Sequence, residues 1–310
     1  MPRAPVPERL ERSPLSVPAS NPRMIEKAVA SDADAVLLDL EDAVAPTEKE
    51  ASRPNVVRAL KELDWGRKVR LYRINALDTP WAYRDIVEVV EGAGDRLDCL
   101  ILPKVHRPED VSFADTLLTQ IEEYKGFQRR IGIEAQIETA QGIVHIHQIA
   151  SSSERLEALI YGPGDYAASM HMPTGAIGMR DEMDSVYGAD RWHYAIHRIV
   201  SAARAAGLRA LDGPYAQFRD TEGYRKACQV ALALGFDGKW CIHPSQVPIA
   251  NQVFAPSPKE IDWSQRVVAE YERAMAEGRG AIAIDGKLVD AASLRMARVT
   301  LEKARLAGLL

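Results

Sequence analysis

The amino-acid sequence predicts an α/β protein built as a (β/α)8 TIM barrel with a C-terminal helical arm or lid. Eight short apolar, β-rich runs recur along the chain, and stretches of helical periodicity separate them. The runs cover residues 14–17, 35–40, 69–74, 99–103, 131–137, 158–161, 209–213 and 238–242. Between them the pattern predicts helices over 22–31, 48–63, 80–92, 108–124, 142–152, 192–207 and 223–234. Several of these open at or beside proline and several close near glycine, the usual asymmetry of helix boundaries. Eight alternations within ~250 residues suit a closed barrel, with a doubly wound open sheet as the alternative. No G-x-G-x-x-G follows the first strand, which weighs against a dinucleotide-binding sheet.

The chain continues beyond what a barrel needs. After Phe254, Pro256–Ser257–Pro258 introduces a helical stretch to Glu277, which Gly278–Arg279–Gly280 breaks. A short unit over 281–288 then leads into a closing helix over 290–310. The expected division is therefore a catalytic barrel over 1–277 and a lid or arm over 278–310 that packs on a neighbouring chain.

Composition narrows the class of protein. The 310 residues are 46% hydrophobic and 27% charged, enough to bury one sizeable core. A formal net charge of −5, from 39 basic and 44 acidic residues without long runs of either sign, makes nucleic acid an unexpected partner. Cys99, Cys228 and Cys241 are odd in number and widely spaced, as buried thiols of a reducing compartment would be. The opening stretch 1–20 carries Arg3, Glu8, Arg9, Glu11 and Arg12 and lacks the apolar core of a secretion signal, and no segment is apolar enough to span a membrane. The expected location is cytoplasmic.

In a barrel of this kind the reactive groups stand at the C-terminal ends of the strands. Here seven strand ends carry polar or ionisable residues: Asp39, Glu41 and Asp42 after the second, Arg73 and Asn75 at the third, Lys104 after the fourth, Glu138 after the fifth, Asp165 after the sixth, Asp212 at the seventh and His243 after the eighth. Asp42, Asp165 and Asp212 also have the alternative of capping the helices that follow. In the fifth strand Glu134, Gln136 and Glu138 share one face by the period-two rule. Facing the lumen, Glu138 needs either a metal ion or a cationic partner such as Arg73 or Lys104. Glu138 and Asp165 offer hard oxygen ligands, and no H-E-x-x-H is present, so Mg²⁺ is expected, with Mn²⁺ also suitable.

The strand ends also spell a set of ordered blocks: LLDLEDAVAP (37–46), RINALDTPW (73–81), LPKV (102–105), IETAQG (137–142), GPGDYAAS (162–169), LRALDGPYAQF (208–218), GKWCIHPSQVPIAN (238–251) and IDGKLVDAAS (284–293). Together they resemble the citrate lyase β-subunit-like (HpcH/HpaI aldolase) family, and within it the malyl-CoA lyases. The resemblance runs in register from about Ser13 to the C-terminus. It implies a TIM barrel that holds Mg²⁺ through Glu138 and Asp165, binds a 2-oxo acid through Arg73, and meets CoA with Arg23 and Lys27 of SNPRMIEKA. It further implies that Asp290, in the C-terminal arm, acts in the active site of a neighbouring subunit of a homotrimer or homohexamer.

The implied reaction is reversible aldol-type cleavage of malyl-CoA to acetyl-CoA and glyoxylate, or of β-methylmalyl-CoA or citramalyl-CoA. A malyl-CoA thioesterase and a citrate lyase β-like subunit working with an acyl-carrier partner are the alternatives. Glu41 and Asp42 are expected around the metal, orienting water or holding Arg73 and Lys104, which stands in the same shell. Arg23 and Lys27 lie one helical turn apart and would share a face, for CoA phosphates or simply for solvent. Trp65, Trp81, Trp192 and Trp240 are expected to be packing residues. Two departures stand out: Ala19 replaces a glycine common before the first helix, and the segment 170–187 is short, which bears on acyl specificity.

Overall fold

Neighbouring strands pair in strict chain order, all parallel, and the last returns to the first. The computed structural model describes residues 5–310; Met1 to Ala4, with Arg3 of the opening stretch, lie outside the described residues. The elements are β1 (Pro14–Pro18), α1 (Pro22–Val29), β2 (Ala35–Asp39), α2 (Lys49–Glu62), β3 (Val69–Arg73), α3 (Ala82–Ala93), β4 (Cys99–Leu102), α4 (Pro108–Lys125), β5 (Gly132–Ile137), α5 (Ala140–Val144) and α6 (Ile146–Ala150). They continue as β6 (Leu156–Tyr161), α7 (Pro163–Ser169), α8 (Glu182–Tyr187), α9 (His193–Ala205), β7 (Arg209–Asp212), α10 (Thr221–Leu234), β8 (Gly238–Lys239) and α11 (Val247–Phe254). Beyond these come α12 (Pro258–Ala276), β9 (Ile282–Ile284), β10 (Lys287–Val289) and α13 (Ala291–Leu306).

The eight-stranded sheet runs β1 to β8 in order. It closes where Leu15 bridges Cys241: Ser16 N–H donates to Cys241 O and Cys241 N–H to Pro14 O, both at 2.8 Å. The open-sheet alternative is thereby removed. All eight predicted strands are present. The helix predicted over 142–152 is instead two short helices that meet at His145, and α7 and α8 carried no signal strong enough to be predicted.

Alternation along the strands builds the lumen. Ala35 and Leu37 of β2, Val69 and Leu71 of β3, Cys99 and Ile101 of β4, Ala158 and Ile160 of β6, Leu211 of β7 and Trp240 form one buried cluster. Two residues further along the same inward rows come Asp39 and Arg73, so the mouth is polar where the middle is apolar. The base is closed by an ionic network. Arg209, which opens β7, lies 3.2 Å from Glu134, 3.0 Å from Glu157 and 3.4 Å from Glu11, while Arg9 lies 2.7 Å from Glu157 and 3.1 Å from Asp98. Glu134 and Glu138 therefore share a face but serve opposite ends of the barrel.

Residues 252–310 form a second compact unit. In it Val267 and Tyr271 of α12 pack with Ile284, Val289 and Ala297, and β9 and β10 make an antiparallel hairpin turned by Asp285 and Gly286, both with positive φ. The division thus falls at Asn251/Gln252, not at the glycine-flanked break after residue 277. The reason is that α12 contributes core side chains to the tail, which a break in helix propensity cannot reveal. Among the described residues no helix is long and apolar enough to cross a membrane.

Candidate active site

The ends of β2 to β6, with the segment after β8, bring the site together around a cleft of about 280 Å³ whose wall includes Asp39, Arg73, Gln136, Glu138, Asp165 and Trp240. Arg73 and Asp39 sit opposite each other in the β2–β3 register. Arg73 donates from Nε to Asp39 Oδ1 at 2.8 Å and from Nη2 to Oδ2 at 2.6 Å. Its Nη1 reaches Glu41 Oε2 at 2.8 Å and Gln136 Oε1 at 3.3 Å, and its guanidinium stands 5.5 Å from the centre of the Trp240 ring. Burial alone would raise the Asp39 pKa, but the charge and hydrogen bonds of Arg73, with the N–H groups of Glu41 and Ala43, hold it below the ordinary carboxylate range.

Lys104 lies just past β4 with φ of 49°, in the left-handed region that side chains rarely adopt. Its N–H donates to Glu138 Oε1 at 2.9 Å, while its ammonium bonds Glu41 Oε1 at 2.5 Å and lies 3.5 Å from Asp42 and 3.6 Å from Asp165. Glu41 therefore bridges Arg73 and Lys104. The loop that carries it is fastened from behind by buried Lys49, whose ammonium donates to Leu40 O at 3.1 Å and Glu41 O at 2.8 Å.

Glu138 is buried and takes the Gln136 amide on Oε2 at 2.6 Å. Among the described residues it accepts from that amide and from the Lys104 N–H, and no lysine or arginine side chain forms a salt bridge with it. Burial, then the charges of Glu41 and Asp165, push its pKa up to about 8 against the pull of Arg73 and Lys104. Gly162 leaves the room this carboxylate occupies: a Cβ there would come within 2.1 Å of Glu138 Oε2. Asp165, in the first turn of α7, is partly exposed and faces the same cleft; it does not cap α7, whose N-cap position is Gly162 and has no side-chain cap. The salt-bridge alternative for Glu138 and the capping alternative for Asp165 both fail here.

These features suit a hard divalent cation. An oriented, unpaired buried carboxylate and a second one beside it are costly without positive charge between them. Among the described residues no group of three or more His, Cys, Asp and Glu side chains converges on a metal position. Two protein carboxylates would leave the other coordination places to water and substrate oxygens, as Mg²⁺ prefers.

Of the other predicted residues, Asp42 is mostly exposed at the rim near Lys104. Arg23 and Lys27 are exposed on α1, which leaves the mouth end of β1, so Arg23 in the first turn lies nearer the mouth than Lys27. Asp290 belongs to the second unit, where it caps α13 by accepting from Ala292 N–H at 2.9 Å and from Ser293 N–H at 3.0 Å. Those bonds hold its pKa below the ordinary value. Asp212 points away from the lumen, to Lys239 at 2.6 Å, and so is neither part of the mouth nor a cap; Asp220 caps α10. Lys49 is a site residue that the strand-end pattern does not reach, while Asp39 and Gln136, already at strand ends, join the site as partners of Arg73. For Asp39 the signal was available, since it continues the inward row of Ala35 and Leu37.

A barrel whose β5 and β6 ends present a buried glutamate and a neighbouring aspartate, framed by an arginine and a lysine, defines the class. The sequence profile of the HpcH/HpaI aldolase/citrate lyase family matches residues 12–244, and the chain belongs to that family. It is 44% identical over 308 residues to an L-malyl-CoA/beta-methylmalyl-CoA lyase of Cereibacter sphaeroides, covering 97% of each chain. It is 37% identical to a (3S)-malyl-CoA thioesterase of the same organism, covering 94% of each. Among solved structures it resembles the CitE protein of Mycobacterium tuberculosis in complex with magnesium, acetoacetate and coenzyme A, with a TM-score of 0.74, 31% identity, and coverage of 96% of this chain and 98% of that one.

Proposed function

We propose that this protein is a Mg²⁺-dependent carbon–carbon lyase that reversibly cleaves malyl-CoA, or a close analogue such as β-methylmalyl-CoA or citramalyl-CoA, to an acyl-CoA and a 2-oxo acid. One observation carries the reading. The two cations of the mouth bond chiefly to Asp39 and Glu41, leaving Glu138 buried, oriented and, among the described residues, without a salt bridge of its own, with Asp165 on the same cleft. The likeness to lyases acting on these thioesters supplies the substrate class.

Cleavage breaks the bond between the hydroxyl-bearing carbon and the carbon next to the thioester. The hydroxyl proton leaves, the oxygen becomes the carbonyl of glyoxylate, and the bonding pair passes into a thioester enolate that takes up a proton to give acetyl-CoA. Mg²⁺ held by Glu138 and Asp165 would supply Lewis acidity where oxygen charge develops. Arg73, fixed by Asp39, offers its Nη1 edge to a carboxylate of the oxo acid, with Gln136 as the weakest partner to displace. Lys104 keeps Glu41 and the cleft rim in place. Arg23 and Lys27 would meet CoA phosphates. Asp290, carried by the arm of a neighbouring subunit in a homotrimer or homohexamer, would exchange the proton at the enolate carbon. Its capping bonds depress its pKa, so that role needs the desolvation an interface provides.

The test is to incubate purified protein and MgCl₂ with each of the three thioesters and identify the products by mass spectrometry. Acyl-CoA plus glyoxylate or pyruvate is expected. Turnover that survives excess chelator, or no cleavage of any of the three, overturns the reading. Free malate and CoA would instead place the protein with its thioesterase relative.

A further inference from the structure

The cleft has two unlike walls. On the side of β2 to β5 stand the charged and amide groups around Arg73 and Glu138, whereas Ile177, Pro214 and Ile242 line it on the side of β7 and β8. Ile177 is 44% exposed and Ile242 39%, so apolar surface is left uncovered inside the cleft that the proposed substrate enters.

This apolar wall is tied together. Ile177 comes from the segment 170–187, and Gly164 makes room for it: a Cβ there would stand 3.1 Å from Ile177 Cδ1. The next residue, Gly178, has φ of 74° and lies so close to the loop after β7 that a Cβ would meet Pro214 O at 2.1 Å. Ala216 N–H in that loop donates to Ile177 O at 3.0 Å. Buried Gln246 joins the same loop to the end of β8: its amide donates to Tyr215 O at 3.0 Å, and its Oε1 accepts from Ile242 N–H at 2.8 Å. Arg191 holds the rest of the segment, donating to Pro173 O and bonding Asp181, both at 2.8 Å. Apolar side chains from three loops are thus set as one surface before anything binds.

Depth decides which part of the substrate meets that surface. Under the lyase reading, on which this inference rests, the oxo-acid half goes to Arg73 and Glu138, which are 7% and 1% exposed. The thioester half then lies outward, toward the open mouth, at the level of half-exposed Ile177 and Ile242. Its oxygen and sulfur gain nothing from hydrocarbon, but a substituent on the carbon next to the thioester does. We infer that Ile177, Pro214 and Ile242 set acyl specificity by receiving an alkyl group on that carbon, so that a propionyl thioester is preferred to an acetyl one. Covering one methyl group in this way is worth about fourfold in affinity.

The test compares propionyl-CoA with acetyl-CoA by titration calorimetry on the whole protein, in MgCl₂ and oxalate, a diacid that takes the place of the oxo acid without condensing. The parent protein should bind propionyl-CoA about fourfold more tightly. Ile177→Ala should bring that ratio close to one, and Ile242→Ala should lower it part of the way; if Ile177→Ala fails to fold, Ile177→Thr takes its place. With glyoxylate instead of oxalate, kcat/KM for condensation should follow the same ratios. A ratio of one in the parent, or a ratio unchanged or raised in the Ile177 variant, would overturn the inference. So would a variant that alters only the choice between pyruvate and glyoxylate, since the wall would then face the oxo acid. A parent that keeps the binding preference but condenses neither thioester would overturn the lyase reading and leave the wall standing; condensation without the preference would overturn the wall alone.

Discussion

Arg73 grips Asp39 with two parallel hydrogen bonds, 2.8 Å from Nε and 2.6 Å from Nη2, across directly paired positions of adjacent strands. The arginine is thereby held as part of the barrel wall, with only Nη1 turned to other partners. Removing one member of a buried pair leaves the other uncompensated. Asp39→Ala should therefore destabilise the fold by about 3–5 kcal/mol in urea denaturation. Arg73→Lys keeps the charge but loses the fork, and its kcat/KM for thioester cleavage should fall by about two orders of magnitude or more. An Arg73→Lys enzyme with near-normal turnover would make the arginine purely structural.

Metal affinity should depend on pH through Glu138. Its pKa near 8 means that at pH 7 the metal-free carboxyl is mostly protonated, and a cation has to displace that proton. Affinity for Mg²⁺ should rise nearly tenfold per pH unit below about 8 and level off above it, as read by calorimetric titration with MgCl₂ from pH 6.5 to 9. Glu138→Gln should abolish both the binding and its pH dependence, and Asp165→Asn should weaken binding strongly while the far-ultraviolet circular dichroism of each variant stays native.

The base of the barrel should respond to alkali. Burial, followed by the charge of Glu11, raises the Glu134 pKa well above its ordinary value despite Arg209. An acid whose pKa is higher in the folded than in the unfolded state favours folding while it is protonated; that contribution is lost as pH rises from the unfolded value through the folded one. Glu134→Gln, which mimics the protonated form, should melt at a temperature less dependent on pH between 7 and 10 than the parent does. Equal slopes in differential scanning calorimetry would show that Glu134 keeps its charge in the fold.

If the active site is completed between subunits, two dead proteins should make a live one. Glu138→Gln lacks the barrel ligand and Asp290→Asn lacks the arm carboxylate, yet Asn caps a helix nearly as well as Asp, so α13 should persist. Mixed under conditions of confirmed subunit exchange, they should regain part of the parental rate in a thioester-cleavage assay. Without recovery, Asp290 serves its own barrel or only its helix.

The local sequence determined much of this protein: eight strands at their positions, a polar mouth and the two carboxylates at the ends of β5 and β6. Such features follow from period-two alternation and from helix and strand boundary residues, which act over a few neighbours. Tertiary structure decided the rest. Arg73 chooses Asp39, Lys104 chooses Glu41, and Glu138 keeps a backbone N–H and an amide, because cations compete for carboxylates brought together from 34 to 63 residues away along the chain. Asp212 looked like a mouth residue but turned to the helices, since strand parity sets its direction and the end of a strand does not. The tail divides at Asn251/Gln252 because Val267 and Tyr271 lend their side chains to a core that forms only once α12, the hairpin and α13 have packed.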